Sequence, residues 1–198
     1  MRIVIMADGK GMRWANHMGV PKHLVSIGGE WLIERTVKIL NRMKKNHTLE
    51  LIVTSHDERY EFIGCRRHEP LNNKYEIDRF TEELIEDDMC FLYGDTYYTE
   101  ETINKILNSR TEDILFFGSK KSIVAVKIGR SDTFKKHVNN VKKLYLSGEL
   151  DRCIGWQVYQ SFTGQAFNSP ILLEKNFIFV DEKTTDINTP KDYEMIVS

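Results

Sequence analysis

RIVIMADGKGMRW, residues 2–14, joins a short β-branched run to a basic, glycine-rich loop. The run Arg2–Met6 is too short for a buried helix and has no alternation of polar and apolar positions. That is the pattern of a parallel strand covered on both faces. A strand that feeds a glycine turn brings backbone N–H groups together where an anion can lie. Gly9 and Gly11 let the main chain approach a ligand with no Cβ in the way. Arg13 and the later Lys22 add cations suited to phosphate oxygens. The two glycines alone are equally compatible with a tight turn and no ligand.

Beyond the loop the hydrophobic period changes. Leu32, Thr36, Ile39, Leu40 and Met43 recur at helical spacing, which predicts a helix over 30–45. LELIVTS (49–55) reads as a strand, EIDRFTEELIE (76–86) as an amphipathic helix and MCFLYGD (89–95) as a second fully buried strand. Thr99, with Thr102 and Ile103, opens another helix, and DILFFG (113–118) and IVAVKIG (123–129) are further strands. SDTFKKHVNNVKKLYLSG (131–148) is a helix with Ser131 as its N-cap and Gly148 as its stop. SFTGQAFNSP (161–170) reads as loop, FIFVD (177–181) as strand, and Thr189-Pro190 as the cap and first residue of a last helix. Strands alternating with helices predict an α/β fold, a doubly wound and mainly parallel sheet with helices on both faces. With four prolines, no repeat and no linker, residues 1–198 are expected to form a single domain.

Composition narrows the partners. Lys and Arg number 28 against 29 Asp and Glu, a net charge of -1. That balance gives no bulk attraction to nucleic acid or an anionic membrane, so phosphate binding has to be local. Cys65, Cys90 and Cys153 form no CxxC pair, which argues against a zinc cluster or disulfide framework, and Cys90 reads as a small core residue. The six histidines lack metal-ligand spacing. Without a signal-peptide pattern or an apolar stretch of membrane-spanning length, a cytoplasmic location is expected. Lys127 is expected on the solvated face of an edge strand.

Two familiar phosphate loops do not fit. A Walker A loop needs Ser or Thr after Gly-Lys, where Gly11 stands, and the dinucleotide fingerprint needs a glycine where Trp14 stands. The run A7-D8-G9-K10-G11-M12-R13, followed by P21-K22-H23-L24 and I27-G28-G29-E30, resembles the signature of the GT-A-type nucleotidyltransferases. That group includes sugar-phosphate nucleotidyltransferases, small cytidylyltransferases and molybdenum cofactor guanylyltransferases. Y93-G94-D95 and D186-I187-N188-T189-P190-K191-D192-Y193 resemble its metal-binding and closing segments. Residues 55–88 and 120–175 match nothing in it.

The resemblance implies a Rossmann-like GT-A fold and transfer of an NMP unit from an NTP to a small phosphorylated acceptor such as a sugar phosphate. CTP is the first choice, with GTP and UTP open. Ala7, Asp8, Gly9, Gly11, Arg13 and Lys22 would bind the nucleotide, with Arg13 and Lys22 as the catalytic cations. Asp95, with Asn188 or Asp186, would hold Mg²⁺. A phosphate monoester is already largely dianionic at neutral pH, its second pKa being about 6, so no general base is required. Neither nucleic acid nor membrane is expected as a partner, and a homodimer is left open. Asp8, Met12 and Asn188 depart from the usual residues. Asp95, Asp186 and Thr189 are also compatible with turn and helix caps. Two other functions stay open. A GT-A glycosyltransferase predicts a second Asp where Tyr97 stands, and a non-catalytic nucleotide-binding module predicts indifference to Asp95. Trp156, Tyr159 and Phe162 read as a cover for the acceptor or as a dimer contact.

Overall fold

The computed structural model describes residues 1–174 and 176–198. In chain order the strands and helices begin with β1 (Arg2–Met6), the short β2 (Ser26–Ile27) and β3 (Glu30–Trp31), then α1 (Leu32–Met43), β4 (Glu50–Thr54), β5 (Arg66–His68), β6 (Met89–Tyr93) and β7 (Thr96–Tyr97). They continue with α2 (Glu100–Asn108), β8 (Ile114–Gly118), β9 (Ile123–Ile128), α3 (Ser131–Leu146), α4 (Gly155–Thr163), β10 (Phe177–Phe179), β11 (Thr185–Asp186) and α5 (Pro190–Val197).

Seven strands form one sheet in the order β10-β8-β9-β6-β1-β4-β5. All neighbours run parallel except β9, which is antiparallel to both β6 and β8. The sheet is therefore mainly parallel, as the alternation of elements predicts. Strands β1, β6 and β8 read as apolar runs because both faces are covered. Ile3 and Ile5 pack with Val37 and Leu40 of α1 and Ile103 and Ile106 of α2. Val4 and Met6 belong to the opposite face, with Phe134 and Val141 of α3 and Val158 and Tyr159 of α4. Cys90 lies fully buried in the first of these layers.

Several local readings need correction. Residues 76–86 form no α-helix but two 3₁₀ turns, Glu76–Arg79 and Glu82–Leu84. Between them Phe80 leaves helical geometry, at φ -75° and ψ 73°, to wedge its ring edge-on against Phe91 and Phe134. Ser131 is the first residue of α3 rather than its cap, and its N–H and hydroxyl both donate to Asp87 Oδ1, at 2.7 and 2.6 Å. The segment 161–170 is loop only from Gly164, where φ of 70° ends α4.

Lys127 is the largest departure. The strand that carries it is interior, not an edge, and the side chain is buried. Its ammonium donates to the carbonyls of Ile106 (3.0 Å), Leu107 (2.9 Å) and Ser109, satisfying the open C-terminal end of α2. Tyr98 is also a packing residue, fully buried with its hydroxyl donating to Tyr93 O and Val124 O. Among the described residues no helix is long and apolar enough to cross a membrane.

Candidate active site

The C-terminal ends of β1 and β6 lie side by side, with Met6 level with Tyr93. The ends of adjacent parallel strands are where open α/β sheets bind ligands. Gly94 makes the approach close. Its N–H donates to Met6 O at 2.9 Å, and a Cβ on Gly94 would lie only 2.6 Å from that oxygen. This brings Asp95 against the glycine loop. Gly11 turns that loop at φ 57°, a conformation L side chains rarely adopt. Trp14 then anchors it, buried, with its indole N–H donating to Val20 O at 2.7 Å.

Two further pieces of chain converge here. Lys22 begins a 3₁₀ turn and is buried, its ammonium paired with Asp95 Oδ2. Strand β11 pairs antiparallel with β7, Asp186 opposite Thr96, and Ile187 N–H donates to Asp95 O at 2.7 Å. That ladder carries Asp186 and Asn188 to Asp95. Asn188 Oδ1 accepts from Arg13 Nη2 at 2.7 Å and from Lys22 Nζ at 3.4 Å, while its amide N–H donates to Asp186. Arg13, Lys22, Asp95, Asp186 and Asn188 are thus one connected polar group.

Electrostatics fix the protonation states. Burial, the largest single influence, pushes the Asp95 carboxyl up, but Lys22, His23 and Arg79 together hold the group below the usual carboxylate range. Asp95 is ionised at neutral pH. His23, next to Lys22, is driven down to about 3, chiefly by burial, and its Nδ1 lies 3.2 Å from the Tyr60 hydroxyl. Its ring is therefore neutral at pH 7.

The group opens onto a cleft of about 580 Å³. Gly9, Gly11, Arg13, Lys22, Asp95, Asp186 and Asn188 all line it, so seven of the candidate residues meet in one place. Two do not. Ala7 is a buried member of the core beneath. Asp8 turns its carboxylate to His56, accepting from the ring Nδ1 at 2.9 Å and the backbone N–H at 3.3 Å. That turns the acidic side chain away from the glycine loop. Met12, 84% exposed, stands at the rim.

Sequence reasoning missed the other walls. Asn73, Lys74, Tyr75, Glu76 and Arg79 form one, and Lys121 to Ile123 with Arg152 and Ile154 to Trp156 form another. In the sequence these cations look like ordinary surface charge. Gly155 is the one available signal, since a Cβ there would collide with the Tyr93 hydroxyl. Trp156 does line the cleft, whereas Tyr159 is buried in the core.

Among the described residues no three His, Cys, Asp or Glu side chains form a protein-only metal cage. The donors present are two carboxylates and an amide oxygen. Mg²⁺ is usually held in this way, by one or two carboxylates completed by substrate phosphates and water. The Lys22 ammonium against Asp95 and Asn188 marks the same oxygens as a seat for positive charge.

Comparison with solved structures places the fold. The CTP:phosphocholine cytidylyltransferase of Streptococcus pneumoniae superposes with a TM-score of 0.58 at 17% identity, covering 98% of this chain and 96% of that one. The fold is that of the nucleotidyltransferases. A putative glucose-1-phosphate thymidylyltransferase from Bacillus anthracis gives 0.60 at 13% identity, over 98% and 92% of the two chains. The 4-diphosphocytidyl-2C-methyl-D-erythritol synthase of Anaerococcus prevotii gives 0.57 at 15%, over 98% and 95%. No family model matches the sequence, and comparison with curated proteins gives no match.

Proposed function

We propose that this chain is a nucleotidyltransferase domain that moves an NMP unit from an NTP to a small phosphorylated acceptor and releases pyrophosphate. The observation that carries the reading is the connected group Arg13–Asn188–Lys22–Asp95 at the mouth of a glycine loop, inside a cleft where cations outnumber acidic residues. The fold shared with nucleotidyltransferases supports it. CTP is the preferred donor, a choice supported by the cytidylyltransferase among the similar structures.

The chemistry asks little of the protein beyond position and charge. An acceptor phosphate oxygen attacks the α-phosphorus, and the bond to the β,γ-pyrophosphate breaks as the new one forms. Backbone N–H groups at Gly9 and Gly11 would cradle the triphosphate, and Arg13 and Lys22 would offset the charge gathering on the leaving pyrophosphate. Asp95, with Asp186 and Asn188, would hold Mg²⁺. The ion supplies charge neutralisation of the phosphate oxygens. No proton has to be removed from the acceptor, which suits a site whose buried histidine stays neutral.

The test is pyrophosphate release from CTP, UTP, GTP and ATP with Mg²⁺ and a panel of phosphorylated acceptors, run beside Arg13→Ala and Asp95→Ala. One NTP should turn over with at least one acceptor. Arg13→Ala should lower kcat/KM by about 10²-fold or more, the scale of one lost charge-stabilising donor. Turnover unchanged in both variants would rule out the site.

A further inference from the structure

The cleft has two ends, and its lining assigns different chemistry to each. Strand β9 runs antiparallel to β6, with Ala125 level with Leu92, so Ile123 lies at the same end of the sheet as Asp95. It is two strands from β1, about 10 Å at ordinary sheet spacing. With the triphosphate over the β1 loop and the reacting phosphorus near Asp95, the acceptor extends over the start of β9 and the head of α4. That wall is made by Lys121, Ser122, Ile123, Arg152, Gly155 and Trp156.

Its composition is selective. It offers two cations, one hydroxyl, apolar surface and a Trp156 ring stacked on Phe177 at 5.8 Å between centroids. It contains no Asp, Glu, Asn or Gln. The polar side chains opposite are partly engaged, and they lie on the far wall from Lys121 and Arg152. Glu76 pairs with Arg79, and Asn73 donates to Asp8 O at 3.1 Å. Lys121 and Arg152 are exposed at the cleft wall, and neither forms an ion pair with a carboxylate among the described residues. Helix α4 opens here with no acidic residue in its first turn, its N-cap N–H donating to Gln157 Oε1 at 3.4 Å. A cationic head group finds no free carboxylate on this wall. On this wall a polyhydroxyl ring finds donors but no side-chain amide or carboxylate to accept.

We propose that the acceptor carries a second anionic group, a carboxylate or a second phosphate, beyond the phosphate that is nucleotidylated, and that Lys121 and Arg152 bind it. This deepens the transferase reading and rests on it. Arg152 forms the charge-assisted contact best suited to a planar or tetrahedral oxyanion, and Lys121 adds a point charge.

The experiment measures kcat/KM for pyrophosphate release with the preferred NTP and three acceptors of similar size: 3-phosphoglycerate, with a distal carboxylate, glycerol 3-phosphate, with a neutral end, and phosphocholine, with a cationic end. Binding of the NTP is followed separately by thermal shift. The carboxylate acceptor should exceed the neutral one by at least about tenfold, the value of one charge-assisted contact. Arg152→Ala should abolish that preference by raising KM for the carboxylate acceptor. Equal or greater turnover of glycerol 3-phosphate or phosphocholine in the wild type would overturn this assignment and leave the transferase intact. Binding of the NTP with no pyrophosphate release from any acceptor would overturn both.

Discussion

Lys22 and Asp95 form an ion pair whose side chains are each under a tenth exposed. Taking one partner away leaves the other charge buried and unanswered, which costs about 3–5 kcal/mol. Lys22→Met should therefore lower the stability by that amount and remove turnover, whereas Lys22→Met combined with Asp95→Asn should regain most of the stability but no activity. Chemical denaturation and a pyrophosphate assay on the three variants check both halves. A pH dependence follows from His23. Its folded pKa of about 3 lies below the unfolded value of 6.5. Below pH 6.5 the unfolded chain takes up a proton that the native fold refuses. Stability is full above that pH and falls as pH drops toward 3, by up to about 1.4 kcal/mol per pH unit. His23→Gln should flatten this slope between pH 6 and 4 in urea midpoints. Asp95 has the same sign in a lower window. Its stabilisation is present above the usual carboxylate range and is lost as pH falls through its depressed native value.

At the scale of elements, Lys127 is tied to α2. Lys127→Met would leave the last carbonyls of that helix without their donor, at a cost of about 1–3 kcal/mol. The expected result is a lower denaturation midpoint with kcat unchanged, because Lys127 does not line the cleft. The same residue marks where sequence reading ran out. IVAVKIG announces a strand, but nothing local says that the strand is interior and antiparallel, since that depends on which strands it pairs with. The buried strands β1, β4 and β6 were legible because a sheet covered on both faces leaves an unbroken apolar run. The strap over 76–86 was not, because its charges fall at helical spacing while Phe80 is pulled into the core by Phe91 and Phe134. In the site, Gly9, Gly11, Arg13, Lys22, Asp95, Asp186 and Asn188 were readable from short motifs. The turn of Asp8 toward His56 was not, since it joins a loop residue to one 48 positions away.

For the molecule as a whole, charge is balanced in sum but not in place. The net charge is -1, yet the cleft is lined by seven Lys or Arg against three acidic residues. Such a concave lining with an excess of positive charge concentrates anions, and its pull weakens with salt, because the Debye length shrinks to about 8 Å at 0.15 M ionic strength and about 3 Å at 1 M. NTP affinity should fall steadily as NaCl is raised, while the denaturation midpoint changes little. Calorimetric titrations at several salt concentrations check this. The second and third walls of the cleft come from stretches far apart in sequence, 73–79 and 121–156. Only the assembled sheet brings them opposite the glycine loop, so these walls could not be read from motifs.

If the cleft catalyses nucleotidyl transfer, the α-phosphoryl group moves to the acceptor together with its nucleoside. The most direct measurement follows NTP labelled with ³²P at the α-position, incubated with Mg²⁺ and a phosphorylated acceptor, for wild type and Lys22→Met/Asp95→Asn. The account predicts that label moves into a nucleoside-diphosphate-linked product in the wild type and stays in the NTP in the double variant. Label that stays in the NTP in both, although the wild type binds it, would contradict the account.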